Sequence, residues 1–272
     1  MRSLILTLAI IITAGAYLRG WLHLRSTSYN VIPAWRAVSF FLGLFSAWVA
    51  AASPIASFDE AMLTGHMVQH LLLMSIAPPL IWLGAPVMPM WRGLPRQFVQ
   101  AAIGPAFRWP AARRLGRVLE QPAFCWLGAA AALVAWHAPA VFRLGMESQA
   151  WHVFEHACFL GTGLLFWWPV VQPWPSVPIW PRWSMLLYLF LATLPCDVLS
   201  AFLVFSDRVA YPVYLCTPRQ SGLSALEDQQ CAGALMWTCV TVVYLVAGTI
   251  LATRLLSPRG SLEGPPQIVE VV

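Results

Sequence analysis

Long apolar runs, separated by short polar stretches, repeat along nearly the whole chain. Runs of about 20 apolar residues are typical of transmembrane helices, and the alternating segments of a transmembrane β-barrel are missing. The pattern predicts an all-α fold, a polytopic helical membrane bundle that forms one transmembrane domain over residues 1–256. Seven spans are predicted, at about 3–20, 36–54, 62–83, 122–142, 149–171, 183–205 and 229–254.

The charged residues set the orientation of this bundle. Only 10% of the 272 residues are charged, compared with about 25% in a soluble protein. Six of the sixteen arginines fall in the loop 84–121, which the positive-inside rule makes cytoplasmic. The N-terminus is then outside and the C-terminus cytoplasmic. A cleaved signal peptide ending near Ala16 would reverse that order, so we expect a retained first helix. No soluble basic module is present to bind nucleic acid.

The polar end of the chain and the cysteines add little chemistry. Residues 257–272 are polar and contain Gly and Pro, and we expect a disordered cytoplasmic tail. The six cysteines occur without a CxxC pair, so most are expected to be small buried side chains. Cys216 and Cys231 fall on one side of the membrane, but spacing alone does not decide whether they form a disulfide.

Histidines stand out inside the predicted spans. The start of span 3, the end of span 4 and the start of span 5 lie on one side of the membrane by parity, which the arginines make the external side. Each of these histidines lies within about 10 Å of its helix end. Two pairs of them have i, i+4 spacing, which places both members of a pair on one helix face. The five candidate metal ligands are His66, His70, His137, His152 and His156.

Several neighbours could take part in the same site. Met62 and Met74 extend the His66–His70 stripe at four-residue spacing, and thioether with imidazole suits Cu(I) better than zinc. Glu155 could hold a ligand imidazole in place by contacting it from behind, without binding the metal itself. Asp197 in span 6 is an intramembrane carboxylate, and Asp228 at the start of span 7 lies on the histidine side. The alternatives are a cap for Asp228 and ion pairing for Asp197.

Five segments in order resemble the CtaG-type cytochrome c oxidase assembly factors: MVQHLLLMSIAPPLIWLGAP, WHAPAVF, WHVFEHACFLGTGLLFWWPVV, FSDRVAYPVYL and EDQQCAGALMW. The resemblance implies a multi-pass protein of the bacterial plasma (inner) membrane. It implies a role in assembling a haem–copper cytochrome oxidase, whose subunits would be its partners and to which it would help supply copper. It also adds Asp228 and Gln229 to the polar cluster.

Other functions remain open on the residues alone. Two histidines from different spans could hold a haem for electron transfer, although no second tier of histidines indicates a stacked haem pair. A metal-linked or proton-linked transporter would need polar residues across the inner halves of the spans, where few occur. Zinc hydrolysis is disfavoured because HExxH is absent and Gln69 cannot act as a general base. We therefore expect an assembly factor rather than an enzyme.

Overall fold

Helices account for the regular structure of the described chain. The computed structural model describes residues 2–27, 32–53, 61–95, 97, 99–105, 109–176, 180–215 and 222–257. Within these ranges no strand occurs, which confirms the predicted all-α fold. The principal helices are α1 (Arg2–Thr27), α2 (Ala34–Ala52), α3 (Leu63–Leu71), α4 (Ala77–Leu83), α5 (Val87–Gly93), α6 (Pro110–Leu119), α7 (Pro122–His137), α8 (Pro139–Glu147), α9 (Gln149–Val171), α10 (Arg182–Phe205) and α11 (Ala225–Leu256).

The long apolar helices make the chain a helical membrane protein. Five stretches of the described chain are long and apolar enough to cross a membrane: Ser3–Ser26, Ala34–Ala52, Leu63–Leu83, Arg182–Phe205 and Ala225–Leu256. The bent pair α6 and α7 adds a sixth if both form one span. The 23-residue helix α9 coincides with the predicted fifth span. It is not one of these five stretches, and it carries two histidines and a glutamate. The count of seven spans and the orientation stay predictions.

The predicted span 122–142 is not one continuous helix. Helix α7 stops at His137, and Ala138 takes an extended backbone with φ −64° and ψ 127° before α8 begins. Pro139 explains the break, because the residue before a proline is driven out of the helical region. The segment 143–148, which separates the predicted spans 122–142 and 149–171, therefore lies mainly in α8, and His137 becomes the last residue of its helix.

A π turn interrupts the third span. Residues Leu72–Ile76 form it, between α3 and α4, and the N–H of Ala77 donates to the carbonyl of Leu72. Pro78 follows, and since proline has no N–H it leaves the Met74 carbonyl without its helical donor. The indole Nε1 of Trp167 donates to that carbonyl at 3.1 Å. This bond holds α9 against the π turn, which begins two residues after His70.

Glycines let the helices around the site approach closely. A Cβ placed on Gly163 of α9 would lie 2.9 Å from the Met74 carbonyl oxygen, and one on Gly43 of α2 would lie 3.0 Å from the Ala77 carbonyl oxygen. The third span is thus held between α2 and α9 by backbone contacts that a larger residue would disrupt. The predicted tail beyond Ser257 and the pairing partner Cys216 lie outside the described residues.

Candidate metal centre

The five histidine rings of the third to fifth predicted spans lie next to one another. The ring centroids of His66 and His70 are 4.2 Å apart, and those of His152 and His156 are 4.3 Å apart. His66 is 5.8 Å from His152, while His70 is 5.7 Å from His137 and 6.2 Å from His156. The juxtaposition expected from helix parity is therefore present. The role of these rings as metal ligands stays a prediction.

Glu155 lies at the centre of this cluster. Its Oε1 is 3.5 Å from Nε2 of His66 and 3.2 Å from Nε2 of His70. We call His66, His70 and Glu155 the outer group. One donor atom from each residue lies within 4.8 Å of the other two, and all three residues are buried. Two imidazoles and a carboxylate are a donor set that binds copper, zinc or iron. Glu155 is therefore a candidate ligand itself and not only a carboxylate that orients an imidazole.

The polar atoms of this outer group lack ordinary hydrogen bonds. The contacts between Glu155 and the two imidazoles fall within ion-pair distance, but neither has the geometry of a hydrogen bond. Among the described residues, no hydrogen-bond partner reaches the ring nitrogens of His66, His70 or His156, or either carboxylate oxygen of Glu155. Buried polar atoms are normally satisfied, and leaving them unpaired costs free energy. A bound cation would satisfy several of them at once.

His137 is held differently from the other four histidines. Its Nδ1 lies 2.8 Å from the Leu133 carbonyl oxygen, and its Nε2 lies 3.4 Å from Sδ of Met67. Its own carbonyl accepts a hydrogen bond from the Tyr211 hydroxyl at 2.9 Å. Burial raises the pKa of Tyr211, which keeps that donor protonated. Met67 was missed at the sequence level, although its i, i+3 spacing to His70 places it on the same helix face.

Asp228 serves a structural role in the site. Helix α3 begins after Met62, which makes no side-chain cap. Oδ2 of Asp228 accepts from the N–H of Leu63 at 2.7 Å, and Oδ1 accepts from the N–H and the hydroxyl of Thr64 at 3.2 and 2.6 Å. These N–H groups are among the unpaired donors at a helix start. Asp228 therefore caps the histidine-bearing helix, whereas Ser224 and Glu227 cap α11 itself.

The side chain of Gln229 also forms hydrogen bonds to backbone groups, which gives it a structural role. Its Oε1 accepts from the N–H of Ala210 at 2.7 Å, and its Nε2 donates to the carbonyls of Leu203 and Arg208 at 3.3 and 3.2 Å. The side chain is 1% exposed. It thereby fixes the segment that follows α10 and leads to Tyr211, which in turn supports His137.

The remaining candidates fall outside the outer group. Asp197 is half-buried on α10, and the group of buried donors found among the described residues does not include it. Met62 caps the start of α3 through its backbone carbonyl, which accepts from the N–H of His66 at 3.3 Å. Met74 lines a cavity of about 40 Å³ beside His70 and His137. Of the two proposed thioethers, only Met74 belongs to the lining of this cavity.

Comparison with known proteins places this chain in a family. Residues 15–257 match the family described as cytochrome c oxidase caa3 assembly factor (Caa3_CtaG). An uncharacterised protein of Mycobacterium bovis is 24% identical over 259 residues, which cover 93% of this chain and 38% of the relative. One of Mycobacterium leprae is 23% identical over 249 residues, with 90% and 37% covered. The chain thus spans under half the length of these relatives. No solved structure matches.

Proposed function

Because the chain belongs to the cytochrome c oxidase caa3 assembly factor family, we propose that it holds copper as cargo at the outer group and supplies it to an oxidase subunit. It acts as a non-catalytic factor in the bacterial plasma membrane. The observation that carries this proposal is the convergence of His66, His70 and Glu155, with donor atoms within 4.8 Å of one another and no hydrogen bond among the described residues.

The surroundings of the outer group suit a transferable ion. His152 and His156 lie beside it: the ring of His152 is 5.8 Å from that of His66, and the ring of His156 is 6.2 Å from that of His70. An excess of neighbouring donors lets a cation exchange ligands step by step, whereas a closed tetrahedral cage holds it firmly. A metal bound there is cargo in this proposal, so the chain itself needs no reaction beyond binding and release.

Haem fits this part of the molecule less well than an ion. The cavity beside His70 and His137 is about 40 Å³, whereas pockets for drug-sized ligands have about 300–1,000 Å³. A larger pocket of about 710 Å³ also borders His137, but its lining offers no second histidine among the described residues. The rings of His66 and His70 are in edge contact at 4.2 Å, which leaves no room for a macrocycle between them. His137 has one ring nitrogen on a carbonyl and the other on a thioether. The packing therefore supports a small cation.

Metal analysis of the purified full chain, with an optical spectrum, tests the proposal. The protein is loaded with copper under reducing conditions, and zinc and iron are measured in parallel because the same donors bind them. We expect bound copper without a Soret band, and a loss of most of it in the double variant His66→Ala, His156→Ala. His23→Ala, the histidine outside the cluster, is the matched control and should bind as the wild type does.

Two results would contradict the proposed function. One is wild-type protein that binds no copper although it is folded and monodisperse. The other is unchanged copper binding in the double histidine variant. A complementary measurement is the oxidase activity of membranes from cells that carry the double variant as their sole copy. We expect that activity to fall and to recover partly when copper is added to the medium, because excess copper bypasses a delivery factor.

A further inference from the structure

A buried nitrogen–sulphur pair lies beside the outer group. Nδ1 of His137 is 2.8 Å from the Leu133 carbonyl oxygen, and since a carbonyl only accepts, Nδ1 carries the hydrogen. In a neutral ring the lone pair is then on Nε2. That nitrogen faces Sδ of Met67 at 3.4 Å, and a thioether has no hydrogen to donate. Two acceptors therefore face each other, with Met67 0% and His137 4% exposed.

The separation of this pair suits a shared metal ion. Metal bonds of about 2.0 Å to imidazole nitrogen and about 2.3 Å to sulphur place the two donors 3.4 Å apart at a metal angle of roughly 105°. This is the angle of a tetrahedral or strongly bent site. A cation between the two atoms would accept both lone pairs and remove the cost of a buried contact between acceptors.

The cavity beside the pair favours a soft, singly charged cation. It measures about 40 Å³, and its lining includes Met67, His70, Met74, His137, Cys196 and Met236 but no carboxylate among the described residues. The volume holds an ion with a water or two rather than an organic ligand. Thioether, thiol and imidazole are soft or intermediate donors that select Cu(I). Because no carboxylate belongs to this lining in the described chain, a single positive charge is also less costly there than two.

We propose that His137 and Met67 form an inner Cu(I) site, separate from the outer group and linked to it by His70. His70 lies 3.2 Å from Glu155 through Nε2, lines the cavity, and is 5.7 Å from the ring of His137. Copper passes between the two sites by exchanging neighbouring ligands on this shared histidine. The transfer step rests on the proposed function, whereas Cu(I) binding at the inner site does not.

The substitution Met67→Leu tests the inner site, because it removes the sulphur and keeps nearly the same volume. Purified full chain is titrated anaerobically with Cu(I) against a chelator and with Ag(I), a soft ion that does not change oxidation state. We expect the affinity for both to fall by roughly tenfold or more. Met185→Leu is the matched control, since Met185 is buried at 3% outside the cavity, and it should leave both affinities unchanged.

X-ray absorption provides a readout independent of affinity. Copper-loaded wild type should show a sulphur shell at about 2.3 Å, and Met67→Leu should lose or weaken it. Zn(II) binding should be unaffected by Met67→Leu but reduced by Glu155→Gln. The inner site is overturned if Met67→Leu keeps both the soft-ion affinities and the sulphur shell while Glu155→Gln still weakens metal binding. The proposed function fails instead if the variants of the outer group leave binding unchanged.

Discussion

Glu155 places a carboxylate between two imidazoles inside the membrane domain, where it is 1% exposed. A buried carboxylate is costly unless a cation compensates it, and a bound metal ion would supply that positive charge. The space for this side chain comes from Gly145 of α8. A Cβ at that position would lie 2.9 Å from Oε2 of Glu155.

We predict that Gly145→Ala pushes the carboxylate away from the imidazoles and lowers metal affinity about tenfold. The fold should survive, because the atom that must move is the free end of a side chain. Isothermal titration of the purified protein measures the affinity. Gly161→Ala on α9 is the control, since a Cβ there meets nothing within 4 Å. Unchanged affinity in Gly145→Ala would show that the position of Oε2 does not matter.

Some residues of the site could be predicted from the sequence, whereas others depend on how the helices pack. The histidines were identified by parity, which follows from the order of the spans, and by the i, i+4 spacing, which follows from helix periodicity. Met67 and Gly145 depend on how α3 and α8 are rotated against their neighbours, and one sequence does not contain that rotation. Glu155 was noted beside His156, but its contacts with His66 and His70 on another helix were not predictable.

At the scale of elements, α3 depends on α11 for its start. Its own N-cap residue Met62 provides no side-chain cap, and the Asp228 carboxylate supplies the side-chain acceptors from the other helix. No local sequence signal could reveal this, because the two partners are 165 positions apart. The break after His137, by contrast, follows from Pro139 and could have been read from the chain.

We predict that Asp228→Ala lowers the free energy of unfolding by about 1–2 kcal/mol, the usual effect of losing a helix cap. It should also weaken metal binding, because the first turn of α3 carries His66. Thermal unfolding in detergent and metal titration measure the two effects. Ser224→Ala removes the cap of α11 alone and should reduce stability by about 1 kcal/mol without changing affinity. Equal effects of both variants on affinity would contradict a specific role of Asp228.

At the scale of the whole molecule, the histidine cluster lies at one end of the bundle, where α3 and α9 begin and α7 ends. The family resemblance predicted from the motifs is confirmed over residues 15–257. The direction in which this end faces rests on the arginines of the loop 84–121 and is still a prediction. Delivery to an oxidase site on the outer face requires that the cluster be external.

We predict that a cysteine at Glu147, which is exposed on α8 near the cluster, reacts with a membrane-impermeant maleimide in intact cells. A cysteine at Arg117 on α6 should react only after permeabilisation. Both substitutions are made in a variant whose six native cysteines are replaced by alanine, and labelling is measured by a mass shift on a gel. The opposite labelling pattern would place the cluster on the cytoplasmic side and exclude delivery from the outer face.

The π turn at Leu72–Ile76 has a consequence for how this span tolerates sequence change. One surplus residue in a helix shifts the angular phase of everything after it by about 100°. The half that carries His66 and His70 and the half that packs on α2 through Gly43 therefore follow separate angular phases. A saturation scan across residues 63–83 should show two periodic patterns of tolerated substitution that are offset at the π turn. A single continuous helical wheel drawn for the whole span would assign the residues after the π turn to the wrong faces.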